Sequence, residues 1–184
     1  ACCPSNICRF IPSIPGYFYQ TNNRDLYVNL YGANETSVRL DGKSVKLRQQ
    51  THYPADGDVA LTITANQADK FRLRLRIPGW VRGLPVPSGL YSYADDVPQT
   101  YSVKVNGQTV EAELEDGYFG IERKWKKGDC VEIHFDMPAR TVQATDEVEA
   151  DRGRVAVTRG PLVYCAEFPD NDFDLGTLLL NQSP

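Results

Sequence analysis

Two adjacent thiols stand near the start of the chain. Cys2-Cys3 directly precede Pro4 and the residues Ile7, Phe10, Ile11 and Ile14, which recur at helical spacing. Proline suits the first position of a helix, so Cys3 falls at the N-cap and both thiols at the helix mouth. An ordinary thiol, with a pKa of about 8.5, is mostly protonated at neutral pH. The positive end of a helix favours the thiolate, the form that attacks carbon or binds metal. On spacing alone, such a pair reads more readily as structural than as catalytic.

The other chemically capable residues have plainer readings. Five cysteines at irregular spacing do not make the framework of a small disulfide scaffold. Cys8, Cys130 and Cys165 read as small buried hydrophobes. His134 falls on the polar side of a strand pattern and His52 in a short strand-like run before Tyr53-Pro54. Arg72, Arg74 and Arg76 form the polar side of another strand, with an acidic docking partner as the lesser alternative. Trp80 and the tyrosines read first as core or rim and second as a platform for a sugar ring.

The elements that carry these residues follow from periodicity. The N-terminal helix spans residues 4 to 19, and Pro12 and Pro15 confine its regular part to about Ile11. From Asp25 the period changes to two. Leu26, Val28 and Leu30 alternate, and Val38 and Leu40 lead through Asp41-Gly42 to Val45 and Leu47. A short strand at Gln50 to Tyr53 and another at Val59, Leu61 and Ile63 follow. The clearest run is Phe71, Leu73, Leu75 and Ile77, alternating with the three arginines. Asn106-Gly107, Asp116-Gly117 and Lys127-Gly128-Asp129 turn the chain between further alternating runs, the last being Val131, Ile133, Phe135 and Met137. Residues 83 to 102, rich in Pro, Gly and Tyr without a period, read as a long surface loop. The pattern thins again between Pro138 and Ala150, a candidate junction, and Val155, Val157 and Leu162 to Ala166 begin a second strand group.

The fold class that results is mainly β: an antiparallel β-sandwich with one short N-terminal helix, plus the start of a second β domain. A chain of 184 residues is long enough to bury roughly 70% of its extended surface. With 41% apolar and 24% charged residues, a disordered chain is excluded. No stretch approaches the ~18 apolar residues of a membrane span. A net charge of -4, with no concentrated basic face, excludes a typical nucleic-acid binder. Both ends read as those of a piece of a longer protein.

Several words of this sequence occur together in one family. Cys2-Cys3-Pro4-Ser5-Asn6, Ile14-Pro15-Gly16-Tyr17-Phe18-Tyr19 and Leu26-Tyr27-Val28-Asn29-Leu30-Tyr31 are followed in order by Tyr53-Pro54, Arg76-Ile77-Pro78-Gly79-Trp80 and Val105-Asn106-Gly107. Gly117-Tyr118, Trp125-Lys126-Lys127-Gly128-Asp129, Met137-Pro138 and Arg159-Gly160-Pro161-Leu162-Val163-Tyr164 complete the series. The chain resembles glycoside hydrolase family 127, which includes the β-L-arabinofuranosidases. The stretch from Gly83 to Ser102 is longer than the family pattern.

The resemblance implies an (α/α)6 barrel followed by two β-sandwiches. Residues 1–19 would be the last helix of that barrel, 20–138 the first sandwich and 139–184 the beginning of the second. It also implies a retaining hydrolase in which Cys2 is the nucleophile and Cys2 and Cys3 are zinc ligands. The remaining ligands, a Glu and a Cys, and the acid/base carboxylate would belong to the barrel. Zinc is then expected in the intact protein and not in the 184-residue chain alone, which is expected to be inactive and structural. The implied partners are an arabinofuranose-containing oligosaccharide or plant-type glycan and the upstream barrel. The implied location is secreted or periplasmic, with the cytoplasm as the alternative. The competing class is a non-catalytic carbohydrate-binding sandwich, which requires exposed coplanar aromatics.

Overall fold

The structure, a computed structural model, describes residues 3–98, 100–172 and 174–180. The helix α1 runs Cys3–Ser13 and tightens into a 3-10 turn, Ile14–Tyr17. Cys3 is therefore the first helical residue rather than the cap. The helix also passes Ile11: Pro12 sits in its last turn, and the Ser13 hydroxyl donates to the Phe10 carbonyl at 2.7 Å. Pro15 then enforces the tighter turn.

Two sheets form the sandwich. One holds five strands in the order β1 (Tyr19–Asn22), β2 (Asp25–Val28), β6 (Lys70–Arg76), β11 (Tyr118–Lys124) and β10 (Leu114–Glu115). The other holds six: β3 (Asn34–Leu40), β4 (Lys43–Thr51), β5 (Asp58–Asn66), β12 (Cys130–Phe135), β8 (Tyr101–Val105) and β9 (Gln108–Thr109). The alternating residues meet between them. Leu26, Leu73, Leu75 and Phe119 on one side and Leu47, Leu61, Ile63, Val131 and Phe135 on the other are almost wholly buried. At Asp41-Gly42, Asn106-Gly107 and Asp116-Gly117 both residues have positive φ, the geometry that joins two twisted antiparallel strands directly. Of the short strand expected at Gln50 to Tyr53, Gln50 and Thr51 are the end of β4, and His52 and Tyr53 lie beyond it.

One pair departs from the antiparallel expectation: β2 and β6 run parallel. Between them the chain crosses to the other sheet and builds β3, β4 and β5 before returning, and such a crossover allows parallel neighbours.

A third sheet orders β15 (Leu162–Tyr164), β14 (Val155–Arg159), β13 (Ala139–Ala144) and β7 (Tyr91–Tyr93). Its strand β7 corrects the reading of residues 83 to 102 as loop. Tyr93 pairs with Val142 and Tyr91 with Ala144, and Tyr101 and Ser102 already belong to β8. Three residues are too few to show a period. Their place is fixed by a tertiary contact, the buried Arg140 side chain. It donates to an Asp95 carboxylate oxygen at 2.6 Å and to the Asp95 carbonyl at 2.7 Å, and it stacks over the Tyr93 ring at 3.5 Å.

Candidate functional site

The thiol end of α1 is the first candidate. Cys2 lies outside the described residues. Cys3 is exposed, carries a free thiol and begins an eleven-residue helix, where the helix dipole is positive. The apolar stripe along α1 is left largely uncovered by the described residues. Ile7, Phe10 and Ile11 are each more than half exposed, and no residue of α1 is buried. Cys8, on the same helix, is therefore exposed rather than buried as its sequence setting implied.

What fixes α1 is the strand that follows it. Asn29 N–H donates to the Phe18 carbonyl at 2.8 Å, extending the β1–β2 pairing of Tyr19 with Val28. The Tyr19 hydroxyl donates to Asn34 Oδ1 at 2.9 Å and accepts from Nε2 of the buried Gln49 at 2.7 Å. Burial raises the Tyr19 pKa, so the phenol stays a donor.

A zinc ion fits this end in kind and not in number. Thiolates are preferred zinc ligands and a structural site takes four. Among the described residues no group of three or more His, Cys, Asp or Glu side chains converges on one point. Cys3 is one donor beside Cys2, and the described residues supply no third.

The arginine ladder is satisfied largely from within. Arg74, expected on a solvated face, is buried, with Asp25 at 2.8 Å and Glu115 at 2.9 Å. Arg72 reaches Glu122 at 3.4 Å. Arg76, still exposed, reaches the Asn29 carbonyl at 3.4 Å.

His134 has the solvated position expected of it and two partners that the sequence did not announce. Cross-strand register sets it opposite Asp58, whose carboxylate lies 2.6 Å from Nδ1, and Asp136 lies 3.2 Å from Nε2. The Asp58 hydrogen bond raises the His134 pKa against the smaller opposing cost of burial, and Asp136 adds to the rise. His134 and Asp58 lie on a groove of about 470 Å³ that His52, Asp56 and Lys104 also line. No Trp, Tyr or Phe lines it, so it has no face for a sugar to stack on. Trp80 belongs to the core: it packs on Phe135 and donates to the Tyr53 hydroxyl at 3.2 Å. Trp125 is buried against Phe71.

Cys130 is half buried at the start of β12, whereas Cys165 is exposed just past β15. The Val163 and Tyr164 side chains before it are exposed as well, so the apolar run of residues 162 to 166 is not a buried strand.

Known proteins resemble this chain along almost all of its length. Residues 25–137 match the model of the beta-L-arabinofuranosidase, GH127 middle domain, and residues 139–184 that of the glycoside hydrolase family 127 C-terminal domain. A non-reducing end beta-L-arabinofuranosidase of Bifidobacterium longum is 37% identical over 95% of the chain. A solved GH127 beta-arabinofuranosidase superposes with a TM-score of 0.90 at 59% identity, over 95% of this chain. A GH127 beta-L-arabinofuranosidase from Geobacillus stearothermophilus T6 gives 0.74 at 38% identity, over 89%. The chain covers 24%, 27% and 23% of those three proteins, about a quarter of each. With the middle-domain model alone matching more than half of its residues, the chain belongs to glycoside hydrolase family 127.

Proposed function

We propose that this chain is the sandwich part of a retaining glycoside hydrolase that releases β-L-arabinofuranose from a glycan or oligosaccharide, with Cys2 as the nucleophile. The observation that carries the reading is the pairing of a two-domain family match with an N-terminal helix whose apolar face is bare. Such a helix requires a neighbour, and residues 1–19 would complete an upstream catalytic barrel. Residues 20–138 and 139–184 would be a sandwich that orients it and the beginning of a second.

In this reading the Cys2 thiolate displaces the leaving group and holds the sugar as a covalent intermediate, which water then cleaves. Cys2 and Cys3 would be two ligands of a zinc ion, and the ion when bound would lower the thiol pKa. The chain's own contribution is the dipole of α1, which favours the thiolate, and the rigid strand pair from which α1 departs. The other metal ligands and the acid/base carboxylate would come from the barrel. The binding-module alternative is weakened by both tryptophans lying in the core.

The test is hydrolysis of an aryl β-L-arabinofuranoside by the full-length protein and by its Cys2→Ala variant. Loss of turnover by at least about a thousandfold, with the far-UV spectrum unchanged, is expected for a missing nucleophile. Full turnover by the variant would remove Cys2 from the mechanism.

A further inference from the structure

Beyond β6 the chain enters a 3-10 turn, Gly79–Arg82, that buries Trp80 and Val81, and it leaves through Gly83 at a φ of 78°. It then presents Leu84 and Val86, 50% and 38% exposed, beside Pro85 and Pro87. With Tyr31, Tyr53, Arg76 and Arg82 these residues line a surface cavity of about 360 Å³. Among the described residues neither Arg76 nor Arg82 has a carboxylate within 4.0 Å, although Arg72 and Arg74 of the same strand are paired. The Arg82 guanidinium lies over the Gly117 turn, 3.3 Å from where a Cβ would stand.

This corner is also where α1 leaves the sandwich. Asn29 lines the cavity and is hydrogen-bonded through its N–H to Phe18. The uncovered Ile7, Phe10 and Ile11 therefore depart from the end that carries uncovered Leu84, Val86 and the two cations. Single exposed apolar residues need no explanation, but apolar groups grouped beside cations mark an interface.

We infer that the Leu84–Val86 corner is a docking surface for the polypeptide preceding residue 1, and that Arg76 and Arg82 accept carboxylates from it. The inference rests on the reading proposed above, in which a catalytic domain precedes the sandwich. The occupant follows from the middle and C-terminal character of the matched domains and from the quarter share of the relatives that this chain covers. Arginine pairs well with carboxylates at such a boundary, and proline limits the entropy lost when the corner is covered.

The test uses the full-length protein carrying Arg76→Lys and Arg82→Lys, coupled with a zero-length carbodiimide and mapped by mass spectrometry. A peptide joining residue 76 or 82 to an Asp or Glu upstream of Cys2 is the expected result. Coupling of these positions only to residues 1–184, while native lysines couple across the boundary, overturns the inference. Hydroxyl-radical labelling of the unsubstituted full-length protein provides the second readout. If nothing covers them, exposures of 50% and 38% slow labelling of Leu84 and Val86 only about two- to threefold relative to unfolded protein, whereas a docked domain slows it about tenfold or more. Slowing of no more than threefold also overturns it. Hydrolysis of the aryl β-L-arabinofuranoside separates the two readings. Turnover without cross-links or protection removes the docking surface alone, and cross-links with protection but no turnover keep it and remove the activity.

Discussion

The Arg140–Asp95 pair joins the third sheet to a segment that sequence alone leaves without structure, and Asp95→Ala tests how much it holds. The Arg140 side chain is only 6% exposed and that of Asp95 28%. Removing the carboxylate takes the Asp95 charge away from a buried guanidinium, and it strips the Thr141 and Val97 N–H groups, both at 3.2 Å, of their acceptor. Breaking a wholly buried pair costs about 3–5 kcal/mol, and losing one hydrogen bond to a charged group costs about 1.5–3. Water reaches Asp95, so the expected loss is between these limits, about 2–3 kcal/mol. Arg140→Met added to Asp95→Ala removes the guanidinium that has lost the Asp95 carboxylate and should recover part of that loss, because an apolar side chain costs less to bury there than an ion deprived of that carboxylate. The assay is hydrogen exchange at Ala94, whose N–H donates to the Thr141 carbonyl at 2.9 Å and so reports opening of β7 from β13. A double variant that opens more readily than Asp95→Ala would refute the argument, since the damage would then be lost packing and not a buried charge.

Other expectations follow from the same arithmetic. His134 has a raised folded-state pKa, so its ion pairs with Asp58 and Asp136 stabilise fully below the unfolded value of about 6.5, and this contribution fades as pH rises through the folded pKa. His134→Gln should flatten stability against pH in that window, by less than about 1 kcal/mol for so exposed a pair, as read by urea midpoints at pH 5.5 and 8.5. An unchanged pH slope would contradict the assignment. A Cβ at Gly57 would lie 2.0 Å from the Phe135 carbonyl oxygen, whereas one at Gly42 meets nothing within 4 Å. Gly57→Ala should therefore cost about 2–3 kcal/mol by forcing β5 from β12, and Gly42→Ala only the roughly 1–2 of a left-handed alanine. Equal thermal shifts for the two variants would disprove the steric account.

Phe71, Leu73, Leu75 and Ile77 show what was legible. Their period of two, uninterrupted by Gly or Pro, leaves one face for the core, and all four are at most 1% exposed. The Asp-Gly and Asn-Gly turns were equally plain, because few residue pairs take two successive positive φ angles at low cost. What period cannot show is who stands opposite. Arg74 looked solvated because its carboxylates come from Asp25 and Glu115, 49 and 41 positions away, and pairing of β2, β10 and β11 beside β6 is what closes over it. β7 stayed hidden for the same reason: three residues carry no pattern, and Asp95 finds Arg140 across 45 positions. The parallel β2–β6 pair also escaped, since alternation reports a buried face and not the direction of a neighbour.

The reading of the thiol end rests on resemblance and not on physics, and the structure gives the reason. A catalytic or metal-binding thiol is recognised by what surrounds it, and around Cys3 the described residues provide a helix terminus and no converging donors. What the chain does provide is direction. Eleven helical residues at about 1.5 Å each carry Cys3 about 15 Å from Ser13, so a small rotation where α1 meets β1 becomes a displacement of ångströms at the thiol. That joint is held by the Phe18 carbonyl on Asn29 and by the Tyr19 hydroxyl between Asn34 and Gln49, and Gln49 itself is buried between the sheets. A sandwich is suited to such a role: its strands are cross-braced by hydrogen bonds and a packed core, and a helix rooted in an edge strand inherits that stiffness. Residues far from any substrate would then act by limiting where Cys2 and Cys3 can point, while the bare apolar face of α1 would take its final seating from the upstream domain proposed above.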